Sequence, residues 1–216
     1  MSLPKPYYDD GNGIVIYHGD CREILPHLPK VDLVLTDPPY GMNWDGRVKP
    51  GAANGTGGTF TKFQGETIVG DDVDFDPSFL LQYGLCIIWG FHHFPQHLYR
   101  GSVLVWVKKY PDAFGTFLSD ADIAWMSKGH GVYCSPVVNP ASFQHEKAHP
   151  TQKPLEVMRW CIGFAPNAQT ILDPFMGSGT TLRAAKDLGR KCIGIELEEK
   201  YCEIAAKRLS QETLPL

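Results

Sequence analysis

The stretch that most constrains the fold is an apolar run that stops at a stiff turn. Residues 31–36 read Val-Asp-Leu-Val-Leu-Thr, and Asp37-Pro38-Pro39-Tyr40 follow directly. The run predicts a buried strand, and the two prolines fix φ, remove two backbone donors and keep a helix from beginning there. In an open α/β sheet, ligands bind at the carboxyl ends of the strands. The turn therefore offers an acceptor (Asp37) and a flat ring (Tyr40) to a planar, amine-bearing group. The alternative is an ordinary strand-to-loop stop.

Short apolar runs alternate with helical patterns along the rest of the chain. Strands are predicted at 13–18, 31–36, 85–89, 102–107, 121–126, 170–172 and 192–195, and helices at 21–28, 154–164, 180–188 and 198–209. This alternation predicts an α/β fold, with a mostly parallel sheet and helices on both faces. Residues 1–12 predict a loose polar end, and residues 129–148 predict an irregular stretch.

Length and charge narrow the class of protein. The 216 residues suit one domain with loop insertions. The chain has no run near the ~20 apolar residues of a membrane helix and no apolar signal core, so we expect a soluble, cytoplasmic protein without a membrane partner. The formal net charge of −4 argues against strong non-specific binding to nucleic acid, but it leaves room for a local basic groove.

The cysteines and histidines do not predict a metal site. Neither residue type shows the close spacing of zinc ligands, so no metal is expected. Buried thiols are the simplest interpretation of the six scattered cysteines, which are Cys21, Cys86, Cys134, Cys161, Cys192 and Cys202.

A second site is predicted where the strand at 170–172 meets the next helix. The connection, residues 173–180, reads Asp-Pro-Phe-Met-Gly-Ser-Gly-Thr, and its glycines allow a ligand to approach the backbone closely. The following strand ends in Glu196, 17 positions after Gly179, close to where a dinucleotide fold has an acid for the ribose hydroxyls. The turn lacks a third glycine and a phosphate-binding lysine, so the pattern favours a nucleoside without a diphosphate. The alternative for Glu196 is a solvated, helix-capping acid.

Residues 41–69 form a glycine-rich segment without apolar periodicity. Long loops in compact domains are usually functional or disordered. Because this one begins at the Asp37–Tyr40 turn, we expect it to cover or recognise the substrate, and a passive surface loop is the alternative.

Three motifs together resemble the DNA amino-methyltransferases that use S-adenosylmethionine. The motifs are Asp37-Pro38-Pro39-Tyr40, His149-Pro150-Thr151-Gln152-Lys153-Pro154, and the turn at 173–180. Their order resembles the circularly permuted beta group of this adenine-N6 and cytosine-N4 family. The resemblance covers about residues 13–209 and is weakest across 41–69 and 110–146.

The resemblance implies a Rossmann-like sheet of seven strands, one of them antiparallel, and it also implies residue roles. Asp37, Pro38, Pro39 and Tyr40 would be catalytic. Asp20 would bond the adenine amine of the cofactor, Thr151 and Lys153 would lie by its carboxylate, and Glu196 would hold its ribose hydroxyls. The full cofactor-binding set is Asp20, Cys21, Thr151, Lys153, Asp173, Pro174, Phe175, Gly177, Ser178, Gly179, Thr180 and Glu196.

The implied chemistry is methyl transfer to the N6 amine of adenine in double-stranded DNA. Asp37 and the carbonyl of Pro38 would accept the two amine hydrogens, Tyr40 would stack on the base, and the base would have to leave the duplex. In this family, Asp at the first position of the turn accompanies adenine and Ser more often accompanies cytosine. Cytosine N4, RNA and a protein glutamine amide remain alternative targets, because such a turn could hold any planar amine.

Two further possibilities concern partners and activity. The chain could be a catalytically silent homologue that only binds cofactor or DNA. Only residues 41–69 and the region 110–148 are available as target-recognition elements, so we expect a short recognition sequence, a homodimer or a partner specificity subunit.

Overall fold

A computed structural model describes residues 3–43, 69–116, 119–135 and 152–211. The strands are β1 (Tyr8–Asp9), β2 (Ile14–His18), β3 (Leu33–Thr36), β4 (Leu85–Trp89), β5 (Ser102–Val107), β6 (Ala121–Met126), β7 (Val132–Ser135), β8 (Thr170–Asp173) and β9 (Lys191–Glu196). The α-helices of the described ranges are α1 (Cys21–Ile24), α2 (Leu155–Gly163), α3 (Thr180–Asp187) and α4 (Glu199–Ser210). Short 3-10 helices span Leu25–His27, Pro77–Leu80, Phe91–His93, Pro95–His97 and Pro111–Ala113.

The strands form one mixed sheet in the order β1-β2-β9-β8-β3-β4-β6-β5-β7. The run from β2 to β4 is parallel throughout, while β6 is antiparallel to β4 and β5, and β1 is antiparallel to β2. The predicted mostly parallel α/β sheet is confirmed. The strand number differs from the expected seven because β1 and β7 extend the sheet at its two edges.

Both faces of the sheet are covered, but unequally. The side chains of β3 alternate, so that Leu33 and Leu35 join the apolar core on one face and Val34 joins the core on the other. The first core also contains the apolar stripes of α2, α3 and α4, whereas the second is closed by α1 and short 3-10 helices. The longer helices of the described ranges therefore share one face.

Two strands lie where the sequence predicted irregular chain. In the N-terminal segment, Tyr7 N–H donates to the Ile16 carbonyl at 2.8 Å, and Asp10 accepts from Asn12 N–H and Ile14 N–H, which closes a tight turn into β2. The prediction of a loose end was thus wrong for β1. The prediction for 129–148 was wrong for Val132–Ser135, which pairs in parallel with β5.

The helix predicted at 21–28 is shorter than expected. It continues as an α-helix only to Ile24 and then tightens into the 3-10 helix Leu25–His27. Pro26 explains the change, because it has no N–H with which to continue the α-helical hydrogen bonds, although Leu25 before it keeps α-helical dihedral angles.

The prediction of buried thiols is confirmed for five cysteines and wrong for Cys134, which is exposed on β7. The glycine-rich loop lies almost entirely outside the described residues, as does the second half of the region 110–148. Among the helices that the structure describes, none is long and apolar enough to cross a membrane.

Candidate active site

Four carboxylates lie along one edge of the sheet. Asp20, Glu196, Asp173 and Asp37 stand at or just beyond the carboxyl ends of β2, β9, β8 and β3, which are consecutive neighbours. Since adjacent strands are about 4.8 Å apart, the row spans roughly 14 Å. The structure therefore brings the two sites predicted from the sequence to the same edge.

The acceptor turn begins with Asp37, whose side chain is 13% exposed. The Tyr40 hydroxyl donates a hydrogen bond to Asp37 Oδ1, and Lys153 Nζ donates to Asp37 Oδ2 at 2.8 Å. A carboxylate has about four lone-pair sites, so these two donors leave further acceptor capacity. Burial and the nearby charge of Asp37 raise the pKa of Tyr40 well above its ordinary value, which keeps its hydroxyl protonated as a donor. Pro38 is buried and Pro39 half-buried in the same turn.

Two residues hold the ring of Tyr40. It stacks on His93, with ring centroids 4.9 Å apart and planes inclined by 14°. On another side it lies against the backbone of Gly90, where a Cβ atom would come within 2.0 Å of the ring. Gly90 also has a φ of 73°, a region that favours glycine. A side chain at position 90 would thus displace the ring.

Asp71 binds the backbone on the far side of the turn, although the sequence did not identify it as part of the site. It is 3% exposed, and its Oδ1 accepts hydrogen bonds from the backbone N–H groups of Tyr40 at 2.8 Å, Gly41 at 2.9 Å and Met42 at 3.3 Å. Its carbonyl accepts from Asn43 N–H at 2.6 Å. Asp71 therefore sets the backbone path that presents Tyr40.

The motif at 149–154 is described only from Gln152 onward, and Thr151 lies outside the described residues. The ammonium of Lys153 lies on the acceptor side of the site, between Asp37 and Asp122 of β6. Asp122 was predicted only as part of a strand. The sequence did not indicate that Asp122 pairs with Lys153, because this contact exists only once β6 lies beside β4 in the sheet.

Asp173 joins the acceptor strand to the glycine turn. The hydroxyl of Thr36, the last residue of β3, donates to Asp173 Oδ1 at 2.7 Å, and Phe175 N–H donates to the same atom at 3.2 Å. Burial raises the pKa of Asp173 to about 6 despite these hydrogen bonds, which favour the ionised form. Pro174 and Phe175 continue the turn, and the ring of Phe175 packs edge-on against Phe75 with centroids 5.4 Å apart.

The glycine turn is shaped by Glu196. Gly177, with a φ of 49°, donates its N–H to Glu196 Oε2 at 2.9 Å, and Glu198 N–H donates to Oε1 at 2.8 Å. Gly179, with a φ of 78°, directly precedes α3, and a Cβ atom there would lie 2.8 Å from Ala205 Cβ. Burial raises the pKa of Glu196. Glu196 is therefore more than a solvated cap, because it holds the turn and the start of α4 together.

The side chain of Ser178 is engaged inside the protein. Its Oγ donates to Gln152 Oε1 at 3.0 Å, and Arg208 donates to both its carbonyl at 2.7 Å and its Oγ at 3.1 Å. Ser178 can thus meet a ligand only through its backbone. Thr180, the first residue of α3, is also buried.

Asp20 ends the row at the opposite side from Asp37. It is exposed and caps α1 by accepting a hydrogen bond from Arg22 N–H at 2.8 Å. Cys21 beside it is buried, and burial raises the pKa of its thiol to about 12. Only Asp20 of this pair therefore presents a polar side chain to the edge of the sheet.

The set of groups fits a ligand rich in donors that carries positive charge. A row of carboxylates can accept from hydroxyl and amine groups and attract a cation, whereas it would repel a polyphosphate. The glycine turn supplies close backbone approach without a lysine. These are the properties expected of a site for a nucleoside that bears a sulfonium.

Comparison with known proteins agrees with this geometry. A family model described as DNA methylase matches residues 125–207. The chain is 28% identical over 270 residues to the Type II methyltransferase M.ScaI of Streptomyces caespitosus, with 100% of this chain and 87% of that protein covered. It is 30% identical over 252 residues to the Type II methyltransferase M.HinfI of Haemophilus influenzae, with 91% and 68% covered.

A solved structure gives the same result for the fold. The crystal structure of the M1.HpyAVI-SAM complex is similar with a TM-score of 0.58 and 26% identity, over 96% of this chain and 100% of that one. The extent of the sequence match to M.HinfI, together with this fold, identifies the family. The chain belongs to the DNA methylase family of N6 and N4 methyltransferases.

Proposed function

We propose that the protein transfers a methyl group from S-adenosylmethionine to the N6 amine of adenine in DNA. The observation that carries the proposal is the direct link between the two sites: the hydroxyl of Thr36 at the end of β3 donates to Asp173 at the end of β8, 2.7 Å away. The proposed amine acceptor and the proposed nucleoside pocket would thus lie on neighbouring strands. The names of the relatives, two Type II methyltransferases and a SAM complex, support methyl transfer from S-adenosylmethionine.

The cofactor would lie along the row of carboxylates. Glu196 would accept from the ribose hydroxyls with its remaining lone pairs, and Asp20 would accept from the adenine amine. Asp173 and the backbone of the glycine turn would line the methionine end, where the negative carboxylate also attracts the sulfonium. When bound, S-adenosylmethionine supplies an electrophilic methyl group on that sulfonium.

Asp37 would act on the amine that receives the methyl group. The nitrogen lone pair of an exocyclic amine is delocalised into the ring, and acceptors that bind both hydrogens favour a pyramidal nitrogen with an available lone pair. Asp37 and the carbonyl of Pro38 would be these acceptors, and positive charge that develops on the nitrogen is stabilised by the carboxylate. Tyr40 would stack on the base once it has left the duplex.

The proposal of adenine as the target base rests on Asp37 at the first position of the turn. Selection of a particular DNA sequence would come from other segments of the chain. We propose residues 41–69 and the region 110–148 as target-recognition elements within a single methyltransferase domain. A homodimer or a separate specificity subunit would supply further DNA contacts.

The test is to identify the product. The purified chain and tritiated S-adenosylmethionine are incubated with unmethylated DNA, with RNA or with protein in three separate reactions. The labelled DNA is then hydrolysed, and its bases are resolved by chromatography. We expect the label in N6-methyladenine. Label in N4-methylcytosine would establish the cytosine alternative. Cofactor binding without transfer to any substrate would identify a silent homologue and contradict the proposal.

A further inference from the structure

Lys153 is a buried cation between two carboxylates of the active site. Its side chain is 5% exposed, and Nζ lies 2.8 Å from Asp37 Oδ2 and 3.5 Å from Asp122 Oδ2. The ammonium also lies 5.4 Å from the centroid of the Trp89 ring. Lys108 Nζ contacts the other oxygen of Asp122 at 2.7 Å. Two lysines and two carboxylates thus form one charge-balanced network that ends at Asp37.

Gln152, the residue before Lys153, connects this network to the glycine turn. Ser178 of the glycine turn donates to Gln152 Oε1 at 3.0 Å. Because Gln152 and Lys153 are adjacent, one short piece of backbone is fastened to the glycine turn by one side chain and to Asp37 by the next. The distance between the glycine turn and the Asp37–Tyr40 turn is therefore fixed by this dipeptide as well as by the sheet.

We infer that Lys153 is a positioning residue whose ammonium balances the charge of the Asp37 carboxylate and orients it toward the target amine. The inference rests on the proposed function and differs from the role by the cofactor carboxylate that the family resemblance implies. The ion pairs of the ammonium in this structure are with Asp37 of the acceptor turn and Asp122 of β6.

The charges around Lys153 determine its protonation. Burial disfavours the ammonium, but Asp37, Tyr40 and Asp122 outweigh burial and hold the pKa of Lys153 above its ordinary value. A lysine that stays protonated is not a general base for the amine. It is instead the counter-charge without which a buried carboxylate is costly to ionise.

Loss of Lys153 should therefore change how activity depends on pH. Asp37 faces Tyr40 and Lys153 and is also close enough to interact with Asp173. Lys108 pairs with Asp122, which in turn pairs with Lys153, so these two residues act on Asp37 indirectly. Without Lys153, the acidic neighbours remain and the balancing cation is gone. A carboxylate in that setting takes up a proton at higher pH, and a protonated carboxyl is a poorer acceptor for two amine hydrogens.

The experiment compares Lys153→Met and Lys153→Arg with the wild-type chain in two assays. Calorimetric titration measures the affinity for S-adenosylmethionine, and single-turnover transfer of tritium to DNA is measured from pH 6 to pH 9 at saturating cofactor. For Lys153→Met we expect cofactor affinity within about threefold of wild type and a rate at neutral pH lowered about 100-fold, which is typical of a misplaced catalytic group. The deficit should shrink as pH rises, and Lys153→Arg should recover part of the rate.

A matched variant covers the case in which Lys153→Met does not fold. Asp122→Asn leaves Lys153 with Asp37 as its only carboxylate partner among the contacts described, so the acid limb of the rate profile should move to lower pH. A purely structural role for this network would lower the rate equally at every pH.

Other outcomes separate this inference from the proposed function. A drop of more than about tenfold in cofactor affinity for Lys153→Met, with an unchanged rate at saturating cofactor, would overturn the positioning role and restore the role by the cofactor carboxylate. If the wild-type chain binds cofactor but transfers no label, the proposed function fails. The binding arm then decides about Lys153, because unchanged affinity in Lys153→Met supports its place on the acceptor side and lost affinity contradicts it.

Discussion

The substitution Asp173→Asn should change how the stability of the fold depends on pH. Asp173 is 3% exposed, and burial raises the pKa of its carboxyl from 3.8 to about 6. Because this pKa is raised, the folded chain keeps a proton that the unfolded chain has already released. The stability contributed by the protonated carboxyl is fully present below the unfolded pKa and is lost as pH rises through the folded pKa.

The size of the effect follows from the two pKa values. The interval from 3.8 to about 6 corresponds to about 3 kcal/mol, of which about 2 kcal/mol falls between pH 4.5 and pH 7.5. Asparagine keeps a carbonyl for the donors Thr36 and Phe175, but its NH₂ group lacks the acceptors that water would offer. That loss costs about 1–3 kcal/mol. Because the amide does not titrate, this cost is the same at every pH.

The assay is urea unfolding followed by tryptophan fluorescence at pH 4.5 and pH 7.5. Relative to wild type, Asp173→Asn should gain about 2 kcal/mol in free energy of unfolding between the lower and the higher pH. The control is Asp32→Asn, because hydrogen bonds from Thr170 and Gln169 lower the pKa of Asp32 below its ordinary value of 3.8. The stability that Asp32 contributes is then present at both pH values, so the difference between this variant and wild type should be nearly the same at pH 4.5 and pH 7.5. A difference between Asp173→Asn and wild type that is the same at both pH values would refute the reasoning.

Two substitutions test how the acceptor turn is held. Asp71→Ala removes the acceptor of the backbone N–H groups of Tyr40, Gly41 and Met42. It should lower the methylation rate at least about tenfold with little change in cofactor affinity. The control Asp72→Ala, at an exposed neighbour, should match wild type in the same assay. Gly90→Ala places a Cβ atom 2.0 Å from the Tyr40 ring and should lower both rate and melting temperature. Gly115→Ala has a similar φ but no atom within 4 Å, so equal losses in the two glycine variants would mean that backbone strain, not the ring, is responsible.

The row of carboxylates was predictable from the sequence because local signals marked the strand ends. Asp37, Asp173 and Glu196 each follow a short apolar run, and parallel connectivity brings the carboxyl ends of such strands to one edge. The sequence did not indicate β1 or β7, which are short edge strands whose pairing depends on the neighbour they join. It also did not indicate that the longer helices share one face.

The support around the acceptor turn was not predictable, because it depends on contacts between distant segments. Lys153 and Asp37 are 116 positions apart, and Asp122 lies in a strand pattern that gives no sign of a buried ion pair. Asp71 belongs to a run of acids that resembles a solvated surface, yet the fold buries it against backbone N–H groups. Local patterns identify the candidate groups for the chemistry, and tertiary packing decides what holds them.

Single-turnover transfer of a tritiated methyl group to DNA by Asp37→Asn tests the central claim most directly. Cofactor affinity is measured in parallel, and Asp32→Asn at the amino end of the same strand serves as the control. We predict a rate for Asp37→Asn that is at least about 100-fold below wild type, as for other groups that stabilise developing charge, with cofactor affinity unchanged and Asp32→Asn fully active. Transfer by Asp37→Asn at the wild-type rate would contradict the assignment of Asp37 as the acceptor of the target amine.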